Sequence, residues 1–188
     1  MESGDVDVWN LKTKRKVYSL RNTSGSFDSI AFSTDGSLLG AASEGVVYNY
    51  SLWESDTGRL LKKCKNDGKD RQTLGACSLT LLEGGKNVAT LSYDGTVKIW
   101  DTVQGKYIRT AAKDDNDIYS AMAVFHKTSL IAVGGWRGNV QIVSVNRKRK
   151  PQVIAGRGQV THLEFTPDGK YLAISHRGQK NVRLVIVK

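Results

Sequence analysis

Apolar and polar positions alternate with a period of two along nearly the whole chain, as half-buried strands require, and no stretch of useful length carries the 3.6-residue period of a helix. A glycine followed by alternating apolar residues recurs five times. The copies are Gly4-Asp5-Val6-Asp7-Val8-Trp9, Gly45-Val46-Val47-Tyr48-Asn49-Tyr50, Gly95-Thr96-Val97-Lys98-Ile99-Trp100, Gly138-Asn139-Val140-Gln141-Ile142-Val143 and a looser form running from Gly178 to Ile186. These glycines lie 41, 50, 43 and 40 residues apart. A second strand-like run precedes each of the last four, at 37–43, 86–92, 129–135 and 170–175, and a third precedes that, at 29–33, 77–82, 120–125 and 160–166. Thr34-Asp35-Gly36 and Pro167-Asp168-Gly169 are turn sequences between the two runs, because Asp supplies local hydrogen bonds and Gly supplies positive φ. A fourth, more polar run follows each of the first four glycine segments, at 15–20, 58–65, 106–111 and 152–155. The pattern predicts an all-β chain of four-stranded antiparallel meanders, each too small to bury both its faces without stacking on a neighbour.

Ser92-Tyr93-Asp94-Gly95-Thr96-Val97-Lys98-Ile99-Trp100-Asp101 resembles the signature strand of a WD-repeat β-propeller blade. Phe165-Thr166-Pro167-Asp168-Gly169-Lys170-Tyr171-Leu172-Ala173 resembles the first hairpin of such a blade, and residues 32–42 and 6–10 are weaker copies in the same register. Asn10 replaces the aspartate of the motif, Tyr50 and Val143 replace its tryptophan, and the family's Gly-His pair is absent. Of the family's Asp-His-Ser-Trp network, the 94–101 repeat offers Asp94, Ser92 and Trp100. The resemblance implies a β-propeller with a partial blade at 1–20, blades at 21–65, 66–112 and 113–156, and an incomplete blade at 157–188. That is about four blades and a partial or incomplete ring, since seven blades at this repeat length need roughly 300 residues. Three completions follow: more propeller on a longer or second chain, two copies closing head to tail, or closure of four blades alone. The family's geometry also implies one loop face carrying Glu44, Tyr93-Asp94, Trp136-Arg137 and His176-Arg177, with residues 12–16 and 147–150 in turns on the other.

Charge changes this picture. The formal net charge is +10, and all of it falls after residue 117, where 12 Lys and Arg face only Glu164 and Asp168. Such asymmetry points to an anionic partner. Arg147, Lys148, Arg149 and Lys150, with Arg157, are candidate contacts to phosphates of a nucleic acid or another anion. The same run also fits an import signal, or a solvated turn. Trp136 and Arg137 on a glycine-flanked turn, with Arg177 and Tyr93 on the same implied face, are candidate partner-binding residues, since Trp and Arg dominate interface hot spots. Trp9 and Trp100 are expected in the core, while Trp53 falls beyond its repeat's third strand and is expected outside it.

The remaining chemistry is sparse. His126, His162 and His176 are not at metal-ligand spacing, and Cys64 and Cys77 are too few for a disulfide framework, so no metal and no cofactor are expected. No glycine-rich phosphate loop, nucleophile elbow or Ser-His-Asp set stands out, which makes the chain a non-enzyme on this reading. No run approaches a membrane span, and the acidic start of the chain does not read as a secretory signal. The expected function is a protein-interaction scaffold within an intracellular assembly, the nucleus favoured over the cytoplasm. The alternative is a ribonucleoprotein subunit touching RNA phosphates through residues 118–188.

Overall fold

The computed structural model describes residues 5–21, 26–43, 48–65, 75–146 and 150–187. Its strands run in simple meanders, each strand pairing with its sequence neighbour within the same sheet. β1 (Val6–Asn10) and β2 (Arg15–Leu20) form a two-stranded sheet. Three four-stranded sheets follow: β3 (Ser29–Phe32), β4 (Leu38–Ala42), β5 (Tyr48–Glu54) and β6 (Leu60–Lys65); β7 (Ser78–Leu82), β8 (Asn87–Ser92), β9 (Thr96–Asp101) and β10 (Tyr107–Lys113); β11 (Tyr119–Phe125), β12 (Leu130–Gly135), β13 (Val140–Ser144) and β14 (Gln152–Ile154). The last sheet has three strands, β15 (Val160–Phe165), β16 (Tyr171–His176) and β17 (Arg183–Ile186). The chain is all-β, in blade-like antiparallel sheets.

Burial follows the alternation on outer positions and abolishes it on inner ones. In β16 Leu172, Ile174 and His176 point inward while Tyr171 stays exposed. Every residue of β12 is buried, which is why this strand reads as a continuous run of apolar and small residues. The chain divides into two compact units, one of residues 1–92 with 100–108 and the other of 93–99 with 109–188. The first has two apolar clusters, one around Leu39, Ala41 and Trp53 and one around Tyr50, Leu81, Val88 and Trp100. The second buries Leu130, Ile142, Val160, Leu163, Phe165, Leu172 and Ile174 in one cluster. Each such side chain contributes about 1.5–3 kcal/mol through removal from water.

The turns divide into two kinds. In β3–β4, Ser33 Oγ donates to Asp35 Oδ1 at 2.6 Å and accepts from the Leu38 amide at 2.9 Å. In β15–β16, Thr166 Oγ1 does the same with Asp168 at 2.6 Å and the Tyr171 amide at 3.1 Å. The other two first hairpins instead turn through short 3-10 segments at Glu83–Gly85 and His126–Thr128.

One strand departs from the sequence expectation. The third strand of the second repeat was expected at 45–50; it is β5, which runs to Glu54 and carries Trp53. Trp53 is buried, at 4% exposure, and meets Phe27 edge-on at 5.6 Å. Tyr50 does not replace the motif tryptophan; Trp53 occupies that position. The turns prove the equivalence. The Glu54 amide donates to Arg59 O at 3.0 Å and the Gly58 amide to Glu54 O at 2.9 Å, as the Asp101 amide does to Lys106 O at 2.9 Å and the Gly105 amide to Asp101 O at 2.8 Å. The glycine at 45 lies too early to mark the strand, because Trp9, Trp53, Trp100 and Val143 are spaced 44, 47 and 43 apart, more evenly than the glycines.

Candidate functional site at one end of the second unit

The Trp136-Arg137 turn is fixed from below and from the side. A Cβ on Gly134 would come within 2.5 Å of Val160 Cγ1, and one on Gly135 would collide with the Asp117 carboxylate. Only glycine permits these approaches. The Trp136 amide donates to Ile118 O at 3.0 Å. The Arg137 amide donates to Asp117 Oδ1 at 3.0 Å and Oδ2 at 3.2 Å, and the Ile118 amide donates to Asp117 Oδ1 at 2.8 Å. Asp117 is therefore a buried carboxylate satisfied by backbone donors, the condition under which a buried charge is tolerated. Gly138 closes the turn at φ +95°, where a Cβ would sit 2.6 Å from the Arg157 nitrogen. With the backbone held in this way, Trp136 stands 53% exposed beside an exposed Arg137.

The neighbouring loops join this turn. The Arg177 amide donates to Gln159 O at 2.7 Å, and its guanidinium reaches Gln159 Oε1 at 3.4 Å. Gln179 Nε2 donates to Arg157 O at 3.0 Å. His176 Nε2 lies 3.2 Å from Gly138 O. Residues 136–138, 156–159 and 176–179 thus form one packed loop cluster. The turn bearing Tyr93 rests on the segment that carries Asp117: the Asp114 amide donates to Gly95 O at 2.9 Å. Tyr93, Trp136, Arg137, Arg157 and Arg177 are brought to one end of the unit, all with exposed side chains. Among the described residues no carboxylate forms an ion pair with Arg137, Arg157 or Arg177; the pair within 118–187 is Lys170–Asp168 at 3.6 Å.

The basic group expected from sequence does not stay together. Lys150 is exposed in the β13–β14 turn, at the far end of β14 from Arg157, so Arg157 belongs with Trp136 and not with Lys150. Arg147, Lys148 and Arg149 lie outside the described residues, as does Glu44. Sequence reasoning missed Asp117, the residue that sets the Trp136 turn. It also missed Arg109 of β10, which donates to Ser144 O at 3.0 Å and to Val145 O and so ties down the end of β13. No three His, Cys, Asp or Glu side chains among the described residues could hold a metal ion. Among the described residues no helix is long and apolar enough to cross a membrane.

Residues 69–101, which include β7, β8 and β9, match the family model of the WD domain, G-beta repeat. The crystal structure of the Cps50 (Swd1) β-propeller domain of Myceliophteria thermophila superposes with a TM-score of 0.79 at 18% identity, over 98% of this chain and 60% of that one. The chain has the fold of a β-propeller and carries a WD repeat at residues 69–101. Curated relatives include telomerase protein component 1 of Rattus norvegicus, 28% identical over 91% of this chain, and pre-mRNA-processing factor 19 of Oryza sativa subsp. japonica, 28% identical over 84%. This chain spans 6% of the former's length and 29% of the latter's. Within the WD repeat at 69–101, the indole of Trp100 donates to Thr90 Oγ1 at 2.7 Å, and Asp94 accepts from the Thr96 amide at 3.1 Å and its hydroxyl at 2.6 Å. Thr90 is thus the tryptophan's partner in the blade network, where the sequence had pointed to Ser92.

Proposed function

We propose that this WD-repeat chain is a non-catalytic protein-interaction scaffold, a subunit of a larger intracellular assembly with a nuclear role, and that Trp136, Arg137, Arg177 and Tyr93 hold a protein partner. The observation that carries the reading is the Trp136-Arg137 turn. A large exposed aromatic and a cation with no ion pair among the described residues stand on a backbone already fixed by Asp117 and Gly138. A preformed surface of this kind binds with little loss of conformational entropy. The printed names of relatives, a pre-mRNA-processing factor and a telomerase protein component, agree with work inside complexes.

The charge excess after residue 117 favours a second reading, a ribonucleoprotein subunit contacting RNA phosphates through Arg147, Lys148, Arg149, Lys150 and Arg157. The placement of Lys150 and Arg157 at opposite ends of β14 weighs against one continuous phosphate track. Two variants separate the readings. On the first, Trp136→Ala with Arg137→Ala abolishes partner capture, and reversing the charges of Arg147–Lys150 leaves it intact. On the second, the charge reversal removes RNA binding and flattens its dependence on salt, while the Trp136 variant is silent.

A further inference from the structure

Among the described residues the two most exposed large apolar side chains are Leu11, at 90%, and Val103, at 81%. Both stand in the turn that follows a repeat's tryptophan, Leu11 between β1 and β2 after Trp9 and Val103 between β9 and β10 after Trp100. These turns lie at one end of the first unit. The Tyr18 hydroxyl of β2 donates to Ser55 O in the β5–β6 turn, and its ring lies against Gly58 of that turn. The β9–β10 turn rests on β6, since a Cβ on Gly105 would come 3.1 Å from Cys64 Sγ and 3.1 Å from Lys62 Cε. The Ser55 amide donates to Ser37 O at 2.9 Å and the Thr102 amide to Lys86 O at 3.1 Å, so each turn sits beside the first hairpin turn of its own sheet. Turns in this position end the strands, where a further stacked sheet does not cover them.

The β1–β2 turn is also cationic. The stretch between Asp7 and Asp28 holds Lys12, Lys14, Arg15, Lys16 and Arg21 and no acidic residue. Lys16 pairs with Asp7 at 3.5 Å, while Lys12, Lys14 and Arg15 are exposed with no ion pair among the described residues. Asn10 Oδ1 accepts from the Lys12 and Thr13 amides at 2.9 Å each, which holds the turn in shape. Lys14 has φ +54°, in the left-handed region. The residues equally far from the tryptophan in the next two turns are Gly58 and Gly105, both at φ +69°. Glycine takes that conformation without strain and lysine does not. A cation is thus kept at this apex against the backbone's preference, a condition that gathers at functional positions. Of the acids at this end, Glu54 pairs with Arg59, and Asp35 and Asp101 accept hydrogen bonds from their own turns. Asp56 and Glu83 are exposed there, outnumbered by exposed Lys12, Lys14, Arg15, Lys86 and Lys106.

We propose that this end of the first unit docks on an anionic lipid surface, with Leu11 and Val103 entering the headgroup boundary and Lys12, Lys14 and Arg15 meeting the lipid charges. Apolar tips flanked by cations are the pattern of interfacial attachment. Two projecting tips at one end suit a flat, deformable partner. A nucleic acid supplies phosphates to the lysines but is held by aromatic stacking, for which these aliphatic tips are unsuited. An acidic protein would need a separate pocket for each tip. The surface is distinct from the Trp136 turn and does not rest on the partner-binding reading of it.

The test is flotation of the 188-residue chain with vesicles of phosphatidylcholine alone and of phosphatidylcholine with phosphatidylserine. The expected result is binding to the phosphatidylserine vesicles only, weakened by added salt. Leu11→Ser with Val103→Ser weakens it by more than about tenfold, the loss of apolar burial. Lys14→Gly weakens it by about fivefold, the worth of one charge at such a surface, and raises the urea midpoint because the backbone strain is gone. No binding to phosphatidylserine vesicles, or binding indifferent to the double serine variant, overturns the proposal. Single-stranded RNA or polyglutamate that outcompetes the vesicles, and loses affinity when Lys12, Lys14 and Arg15 are changed to glutamate, overturns the lipid as the partner. Trp136→Ala leaves vesicle binding unchanged, so failure of the partner-binding turn is read separately.

Discussion

Asp117 shows how much one side chain can set. It accepts backbone hydrogen bonds from Ile118 and Arg137 while buried. Removing it leaves those amides without acceptors. Asp117→Ala should therefore cost about 1–3 kcal/mol in urea unfolding and speed hydrogen exchange at the Arg137 amide. Trp136→Ala is expected to stay within about 0.5 kcal/mol of the parent, as exposed substitutions do. If Asp117→Ala matches the parent in both measurements, the turn is held by something else. The exposed turn of Trp136 and Arg137 was legible in the sequence because glycines flank it, and those of Tyr93 and Arg177 through the WD-repeat resemblance. Asp117 was not, because in Asp114-Asp115-Asn116-Asp117 it looks like one more solvated acid. Its burial is decided by the approach of Gly135, which no local pattern reveals.

The strands were legible wherever alternation was anchored by a turn. β5 lies later than the glycine spacing places it, because the tryptophan and its following turn, Trp53-Glu54 and then Thr57-Gly58, are the steadier signal. The buried position of Trp53 predicts that Trp53→Ala costs about 3–5 kcal/mol, like other buried tryptophans, and a loss under about 1 kcal/mol would return it to the surface. The Asp turns make a pH prediction. Asp35 is held below the usual 3.8 by the Ser33 hydroxyl and then by the Ser37 amide, and Asp168 by the Thr166 hydroxyl and then by the Lys170 amide. A carboxyl depressed in the folded state stabilises above its unfolded value, and that contribution is lost as pH falls through the folded value. Asp35→Asn together with Asp168→Asn should therefore flatten the fall of the urea midpoint between about pH 4 and pH 2. An unchanged slope would mean that these turns do not carry the acid sensitivity. The 3-10 turns at Glu83–Gly85 and His126–Thr128 lack this aspartate, and their sequences gave no sign of a different turn type.

At the scale of the whole molecule, the repeat and the four-stranded meanders were readable from spacing and the propeller from the WD-repeat resemblance of residues 92–101, but the number of strands in the first and last sheets raises a question of assembly. Among the described residues β17 pairs only with β16, and Leu184 and Ile186 on it are exposed, as are Val17 and, against its expected place in the core, Trp9 in the two-stranded sheet. Apolar sheet edges and faces of this kind favour association. Light scattering on the 188-residue chain should give a mass above the 20.7 kDa of one copy, and a strict monomer at that mass would argue that these surfaces are tolerated in water. Charge was readable in amount but not in placement: only the strand order shows that β14 parts Arg157 from Lys150.

The experiment to do first places a photo-crosslinking amino acid at position 136 and, as a control, at exposed position 153 on β14, in the chain expressed in its own cells. A protein adduct formed at 136, absent at 153 and lost when Arg137 and Arg177 are changed to alanine is the expected result. No protein adduct at 136, or equal adducts at both positions, would contradict a partner-binding loop face.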